Sequence, residues 1–483
     1  MHVVFTLWIL ASCTAAVWAA PGTRYADVLI DGIPHVRQKP DFCGEACVEM
    51  VLRKHGRKID QDDVFDRSGV DPALGRGCHS RDLVRAARAV GFDPGEVWKK
   101  VVAARAGVEL PVLWEELHRD LAAGVPSIVC MRYDERPLAA EHFRLVLGYD
   151  AKKDEVIYHE PAVDKAACRR MKRTLFLELW PLKYERDRWT VIRLRLDGSR
   201  LPQADATPRS ARGAVVDETR PRFSRADYAQ HVRALKKGLP SKGFTVLVKV
   251  PFVVIGDEDA TKVRRRSNDT VGWAVDRLKS SYFREDPLKI VDIWLFRDRA
   301  SYRRNVRELW GEEPSTPFGY YSSTHNALVM NIATGGGTLV HEIVHPFIEA
   351  NFPACPSWFN EGLASLYEQC GDRRGEIVGF TNWRLRGLQE AIRADEVRTF
   401  ATLTATTTRQ FYDEDRGTNY SQSRYLCYYL QEKGLLREFY RRFVAGAKKD
   451  PTGLRTLKSV LREDDMARFQ KRWQLWVLGL RFR

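Results

Sequence analysis

Past its first twenty residues the chain has no run of about eighteen uncharged residues, the length a membrane helix needs, and no internal repeat. No long segment is biased enough in composition to stay unfolded. Polytopic membrane proteins, repeat arrays and wholly disordered chains are thereby set aside, and the mature chain is expected to be soluble. Clustered basic charge is also scarce. There are 78 Lys and Arg against 63 Asp and Glu, a net charge of +15, yet only Arg264-Arg265-Arg266 forms a compact run, with no nucleic-acid recognition motif beside it. The charge reads as a solvated face attracted to anionic envelopes or acidic substrates, with no nucleic-acid partner. Cysteine is sparse at nine residues; the eight after Cys13 permit disulfides, and Cys355 with Cys370 brackets one candidate loop.

What is present begins with an apolar stretch, Val3 to Ala20, followed by Pro21 and Gly22. It reads as a signal peptide over residues 1–20, so the protein is expected to be exported: periplasmic, secreted or envelope-associated. Leu10-Ala11-Ser12-Cys13 also fits a lipoprotein cleavage box, which would place a lipid anchor on Cys13. The length of 483 residues, 44% of them hydrophobic, calls for at least two cores. Apolar periodicity lapses between Gly198 and Ser224, giving a first domain at 25–197, a linker at 198–224 and a second domain at 225–483. In the first, a helix starts near Cys43 and strands follow at Ser127 to Arg132, Phe143 to Tyr149, Val156 to His159 and Trp189 to Leu196. In the second, strands are predicted at Thr245 to Ile255, Ile290 to Phe296 and Ala327 to Asn331, a helix over Thr270 to Tyr282, and mostly helix after the sheet. The fold class is α+β in two domains.

The second domain contains His341-Glu342-Ile343-Val344-His345. Residues four apart on a helix share a face, so both imidazoles can address one ion while Glu342 stands beside the open coordination position. A catalytic Zn2+ wants three protein ligands and a water, and a neighbouring carboxylate can take that water's proton. Downstream, Trp358-Phe359-Asn360-Glu361-Gly362 opens a further helix and offers Glu361 as third ligand, with Glu349 as rival. Here the sequence resembles the gluzincin peptidases, in which H-E-x-x-H is followed on the next helix by N-E or W-x-x-E-G. The resemblance implies metal ligands His341, His345 and Glu361, general base Glu342, and a substrate-pairing edge strand near Gly319-Tyr320-Tyr321. That edge strand is expected over Gly319-Tyr320-Tyr321, a polar turn and then Ala327 to Asn331. The resemblance also implies an oxyanion-stabilising tyrosine at Tyr420, with Tyr425 and His325 as rivals. The metzincin pattern fails, because Ile348 and Asn351 stand where it needs Gly and His. Pro346, directly after the second histidine, removes one helix hydrogen bond.

The first domain contains Gln38, then Cys43-Gly44-Glu45-Ala46-Cys47 before a helix. A thiol at a helix N-terminus sits in a field that lowers its pKa, as a nucleophile requires. His142 could serve as its base, Glu160 could orient the ring, and Gln38 could donate to an oxyanion. The set Gln, C-G-x-A, H-F with G-Y-D, and an acidic residue before Pro resembles the papain-like peptidases that cut bacteriocin leaders after double glycine. Glu160 stands where that family usually has Asp. The competing readings make Cys43 and Cys47 buried small hydrophobes, disulfide partners or, with Cys78 and His79, ligands of a structural metal. The chain is thus expected to be an exported zinc peptidase fused to a papain-like cysteine peptidase-like domain, acting on peptide or protein substrates. The alternative is a non-catalytic envelope-binding or adhesion protein with degenerate peptidase folds.

Overall fold

The computed structural model describes residues 25–201, 222–415 and 417–482. The segment Val3 to Ala20, with Cys13, and most of the 198–224 segment lie outside the described residues. The chain divides into two compact units: Met1–Gly69 with Gly77–Thr207, and Val70–Arg76 with Pro208–Arg483. Nothing in the sequence announced that Val70–Arg76 belongs with the second unit.

The first unit runs β1 (Val28–Leu29), α1 (Cys43–Lys54), α2 (Gln61–Ser68), α3 (Ser80–Ala89), β2 (Trp98–Val102), α4 (Ala106–Ala122), β3 (Ser127–Arg132), β4 (Glu141–Asp150), β5 (Glu155–His159), β6 (Arg169–Lys172), α5 (Arg173–Leu179) and β7 (Arg188–Arg195). Its sheet has the order β2-β7-β3-β4-β5-β6, with β1 on β4, and is antiparallel throughout. Helix α1 starts at Cys43 and buries Ala46, Cys47, Met50 and Val51, the apolar positions of its sequence pattern. It lies against β4 and β3, and Gly56 follows it in the left-handed region at φ 69°.

The second unit opens with α6 (Arg225–Lys237), whose capping box pairs Ser224 with Asp227. It continues with β8 (Thr245–Lys249), β9 (Phe252–Gly256), α7 (Ala260–Arg266), α8 (Trp273–Ser281), β10 (Val291–Phe296), α9 (Arg299–Trp310), β11 (Gly319–Ser322), β12 (Ala327–Asn331), α10 (Gly337–Asn351) and α11 (Ser357–Leu366). The hairpin β13 (Cys370–Arg373) and β14 (Glu376–Gly379) precedes the helices α12 (Arg384–Arg393), α13 (Phe400–Thr404), α14 (Thr408–Tyr412), α15 (Thr418–Glu432), α16 (Leu436–Gly446), α17 (Leu454–Leu461) and α18 (Met466–Gly479). That hairpin interrupts the region expected to be helical. The single strand expected over Thr245 to Ile255 is two, β8 and β9, turning at Val250-Pro251, where proline has no N–H to continue a ladder. The helix expected over Thr270 to Tyr282 enters through a π turn at Ser267–Gly272.

The second sheet has the order β11-β12-β10-β9-β8, with β9, β10 and β12 parallel and β11 an antiparallel edge. Its inner strands are buried on both faces, which is why they read as unbroken apolar runs. Phe252, Val254, Ile293, Leu295, Leu328 and Met330 join one core with α10, α11 and α15, whereas Val253, Ile255, Trp294, Phe296 and Val329 join another with α6 and α9. Helix α10 is therefore packed on the sheet, and β11 is left at the rim beside it.

Candidate active sites

In the second unit, α10 carries His341 and His345 and α11 carries Glu361. Their donor atoms all lie within 4.8 Å of one another, and among the described residues no other His, Cys, Asp or Glu group converges in this way. Two close approaches bring the elements together. A Cβ on Gly337, at the start of α10, would lie 2.0 Å from the carbonyl oxygen of Glu368, and one on Gly362 would lie 3.0 Å from that of Ser423 in α15. Only glycine permits the first contact, and a side chain at the second would press on the backbone of α15. Helix α10 continues across Pro346, which withholds the N–H that would reach the Glu342 carbonyl.

Glu361 Oε2 stands 3.3 Å from His341 Nε2, and Glu361 Oε1 stands 3.9 Å from His345 Nε2. Glu361 is 5% exposed, and its Oε2 is buried without a hydrogen-bond partner. Such an orphaned carboxylate oxygen is costly unless a cation faces it. Burial disfavours charge on His341, but Glu361, Glu368 and Glu342 outweigh it and raise that pKa well above the ordinary value. Burial likewise pushes the Glu361 carboxyl up, yet His345, His341 and Tyr412 hold it down at about 2. The pocket favours positive charge. Its donor set of two imidazoles and a carboxylate, with an outer shell already in place, fits zinc. His345 Nδ1 pairs with Asn360 Oδ1 at 3.0 Å. Glu368 Oε1 lies 3.5 Å from His341 Nδ1, and Arg384 forks onto Glu368 at 2.8 and 2.7 Å while Asn382 donates at 3.0 Å.

Glu342 lines the same cleft, with its Oε2 3.9 Å from His345 Nε2. Of the three oxyanion candidates only Tyr420 lines it. The Tyr425 hydroxyl is buried against Asn382, and His325 is stacked on Trp310 with Glu312 beside it, so both rivals are excluded. Three residues escaped the sequence. Tyr412 lines the cleft and donates to Glu361 Oε1 at 2.7 Å, and the Glu368–Arg384 pair backs His341. None lies at a spacing that any local motif marks, whereas Asn360 was visible as the residue before Glu361. Glu349 is not part of the converging set; its Oε2 accepts from the Tyr321 hydroxyl at 3.2 Å. Cys355 and Cys370 are both free thiols, so the bridge between them is not formed.

In the first unit, His142 Nε2 meets Glu160 Oε1 at 2.5 Å, and Arg144 Nε donates to Glu160 Oε2 at 2.7 Å. Arg144 stands two residues along β4 from His142 and so shares its face. It was legible from that period but not from the family pattern. Burial raises the Glu160 carboxyl, but His142, Arg144 and the Ala162 N–H hold it down at about 2. With Nε2 engaged, the imidazole presents Nδ1, which has no partner among the described residues.

Cys43 lines a cleft with Asp41, Cys78, His79, Cys130, Glu141 and Phe143. No hydrogen bond joins it to His142 among the described residues. The expected depression of its pKa is overturned. Burial pushes the thiol up to about 12, with Glu45 and Asp41 adding to that, against the N–H groups of Phe143 and Gly44. Desolvation here exceeds the helix-terminus field, which is worth about 1 kcal/mol. Gln38 is tied through its backbone to the Pro161 carbonyl at 3.0 Å, and its Oε1 is buried without a partner. Cys43, Cys47, Cys78 and His79 do not converge as metal ligands.

Glu45 gives a pH prediction. It is fully buried, and burial raises its pKa to about 7 from 4.5, although Oε1 accepts the Cys78 N–H at 2.7 Å. A raised folded-state pKa means that the folded state binds the proton more tightly, so stability falls as pH rises from about 4.5 to 7 and the full penalty persists above that. Glu45→Gln should therefore stabilise the protein at pH 8 by about 3 kcal/mol and have almost no effect near pH 4.5. Thermal unfolding at the two pH values tests this; equal shifts at both would contradict it.

A family model described as Peptidase_C39 like family matches residues 30–187. The N-terminal unit carries a C39-like, cysteine-peptidase-type domain. Among solved structures, the crystal structure of the peptidase domain of Streptococcus ComA, a bi-functional ABC transporter involved in a quorum-sensing pathway, is 18% identical. The match covers 34% of this chain and 100% of that one, with a TM-score of 0.23. No curated protein matches the chain. The C39-like domain implies a peptide substrate.

Proposed function

We propose that the protein is an exported peptidase with two hydrolytic units: a zinc-dependent one in the C-terminal half and the C39-like one before it. The observation that carries the first is the convergence of His341, His345 and Glu361 within 4.8 Å, with Glu361 Oε2 buried and unpartnered. Zinc bound by these residues would supply Lewis-acid polarisation of a peptide carbonyl and acidify a water. The protein's own groups do the rest. Glu342 takes the proton of the attacking water and passes it to the leaving amine. Tyr420, whose hydroxyl has no partner among the described residues, donates to the oxygen that gains charge. Asn360 and Glu368 hold the two imidazoles in orientation, and Tyr412 fixes Glu361. The rim strand β11 offers backbone groups to an extended substrate.

In the N-terminal unit, Cys43 attacks the carbonyl as His142 removes its proton, with Glu160 steadying the ring and Gln38 donating to the oxyanion. The raised pKa of Cys43 favours proton removal during attack over a preformed thiolate. Export rests on the Val3 to Ala20 segment. A quenched peptide library tests the two-unit reading. Cleavage should fall to background only when a zinc chelator and a thiol alkylator are combined, each alone removing one subset of products. Full activity in the presence of the chelator would remove the zinc unit from the account.

A further inference from the structure

The cleft above His341 and His345 is lined by Glu342, Glu349, Glu361, Tyr320, Tyr321 and Tyr420 among others, and by no lysine or arginine among the described residues. In a chain with 78 Lys and Arg and a net charge of +15 this is a local reversal of sign, and it persists with zinc bound, since three carboxylates exceed the ion's two charges by one. Two of the three carboxylates have tasks in the chemistry, Glu361 as ligand and Glu342 as base. Glu349 has none. It stands one helical turn beyond His345 on α10, on the same face, and is exposed to the cleft. Its Oε2 accepts from the hydroxyl of Tyr321 on the rim strand β11 at 3.2 Å, which fixes the carboxylate between helix and strand, and its Oε1 has no partner among the described residues. A carboxylate held by one hydrogen bond and with a free oxygen, in a cleft lined by no lysine or arginine among the described residues, is an acceptor for a cation brought by the substrate.

We propose that Glu349 is a specificity-determining residue that selects peptides with a lysine or arginine side chain close to the cleaved bond. This rests on the zinc-peptidase reading of the same cleft. It also reverses what net charge alone suggests, since a +15 chain would be matched with acidic substrates. The cleft, not the surface average, sets the potential that the peptide meets.

Binding and hydrolysis should be read separately. Fluorescent peptides that differ only in lysine or its neutral analogue norleucine are titrated by anisotropy into the full-length protein carrying both Glu342→Gln and Cys43→Ala, so that neither unit turns them over. The same pairs are then hydrolysed by the wild type. The lysine peptide should bind roughly fivefold more tightly at low salt, as a partly exposed ion pair allows, and less selectively in 1 M salt. Adding Glu349→Gln should bring the ratio near one, and Glu349→Lys should turn it in favour of a glutamate peptide. Equal binding of the pair, or a preference that survives Glu349→Gln, overturns the proposal. Failure of the zinc-peptidase reading shows itself differently, as absence of chelator-sensitive hydrolysis of every peptide whatever the binding ratio.

Discussion

Glu342→Gln should lower kcat for the chelator-sensitive cleavage by about 10²- to 10⁴-fold, the usual worth of a general base, while the fold and the metal content stay intact. Glu342 lies in the cleft beside His345 but outside the converging set of His341, His345 and Glu361. The amide keeps the size of the side chain and removes only the basic oxygen. KM should change little, because proton transfer is a task of the transition state and not of ground-state binding. Products that depend on Cys43 should be unaffected, which gives an internal control within one chain. A variant that retains chelator-sensitive turnover within a few-fold of wild type would show that another group removes the proton.

Removing the carboxylate at Glu160 should have the largest effect on stability. Glu160 and Arg144 are 1% and 4% exposed, and Glu160 Oε2 receives the Arg144 guanidinium while Oε1 receives His142 and the Ala162 N–H. Glu160→Ala leaves a buried arginine facing no counter-charge and should cost about 3–5 kcal/mol. Urea unfolding of the wild type should show the matching acid sensitivity. A folded-state pKa near 2 lies below the unfolded value of 4.5, so the stabilisation is complete above about pH 4.5 and drains away as pH falls towards 2. In a Glu160→Ala, Arg144→Met double variant, most of the lost stability should return, since no buried charge is left unpaired. If the single variant unfolds like the wild type, the pair is not the anchor described.

Much of both sites was legible because their key residues fall at local spacings. His341, Glu342 and His345 sit on one helical turn, Glu361 follows a hydrophobic-aromatic start to the next helix, and Cys43 opens a helix whose apolar residues repeat at the right period. The strands β3 and β12 were found with their ends in place because their apolar runs stop abruptly. What escaped depends on contacts across the fold. Tyr412 reaches Glu361 over 51 residues, and Arg384 reaches Glu368 from beyond a hairpin, so no window of sequence joins them. The pKa of Cys43 departs from the local expectation for the same reason. The helix terminus is local and visible, whereas the burial and the carboxylates of Glu45 and Asp41 that outweigh it belong to the folded chain. His325 and Tyr425 were reasonable by chain position alone, and only packing against Trp310 and Asn382 withdraws them.

The central claim is that His341, His345 and Glu361 hold one zinc ion, and elemental analysis of the purified full-length protein tests it most directly. One zinc per chain in the wild type and in Glu342→Gln, falling to well under a tenth in His345→Ala and Glu361→Ala variants that still melt cooperatively, is the expected result. A wild type that takes up no stoichiometric zinc after reconstitution and dialysis would contradict it, and the C39-like unit would then be left to account for any activity.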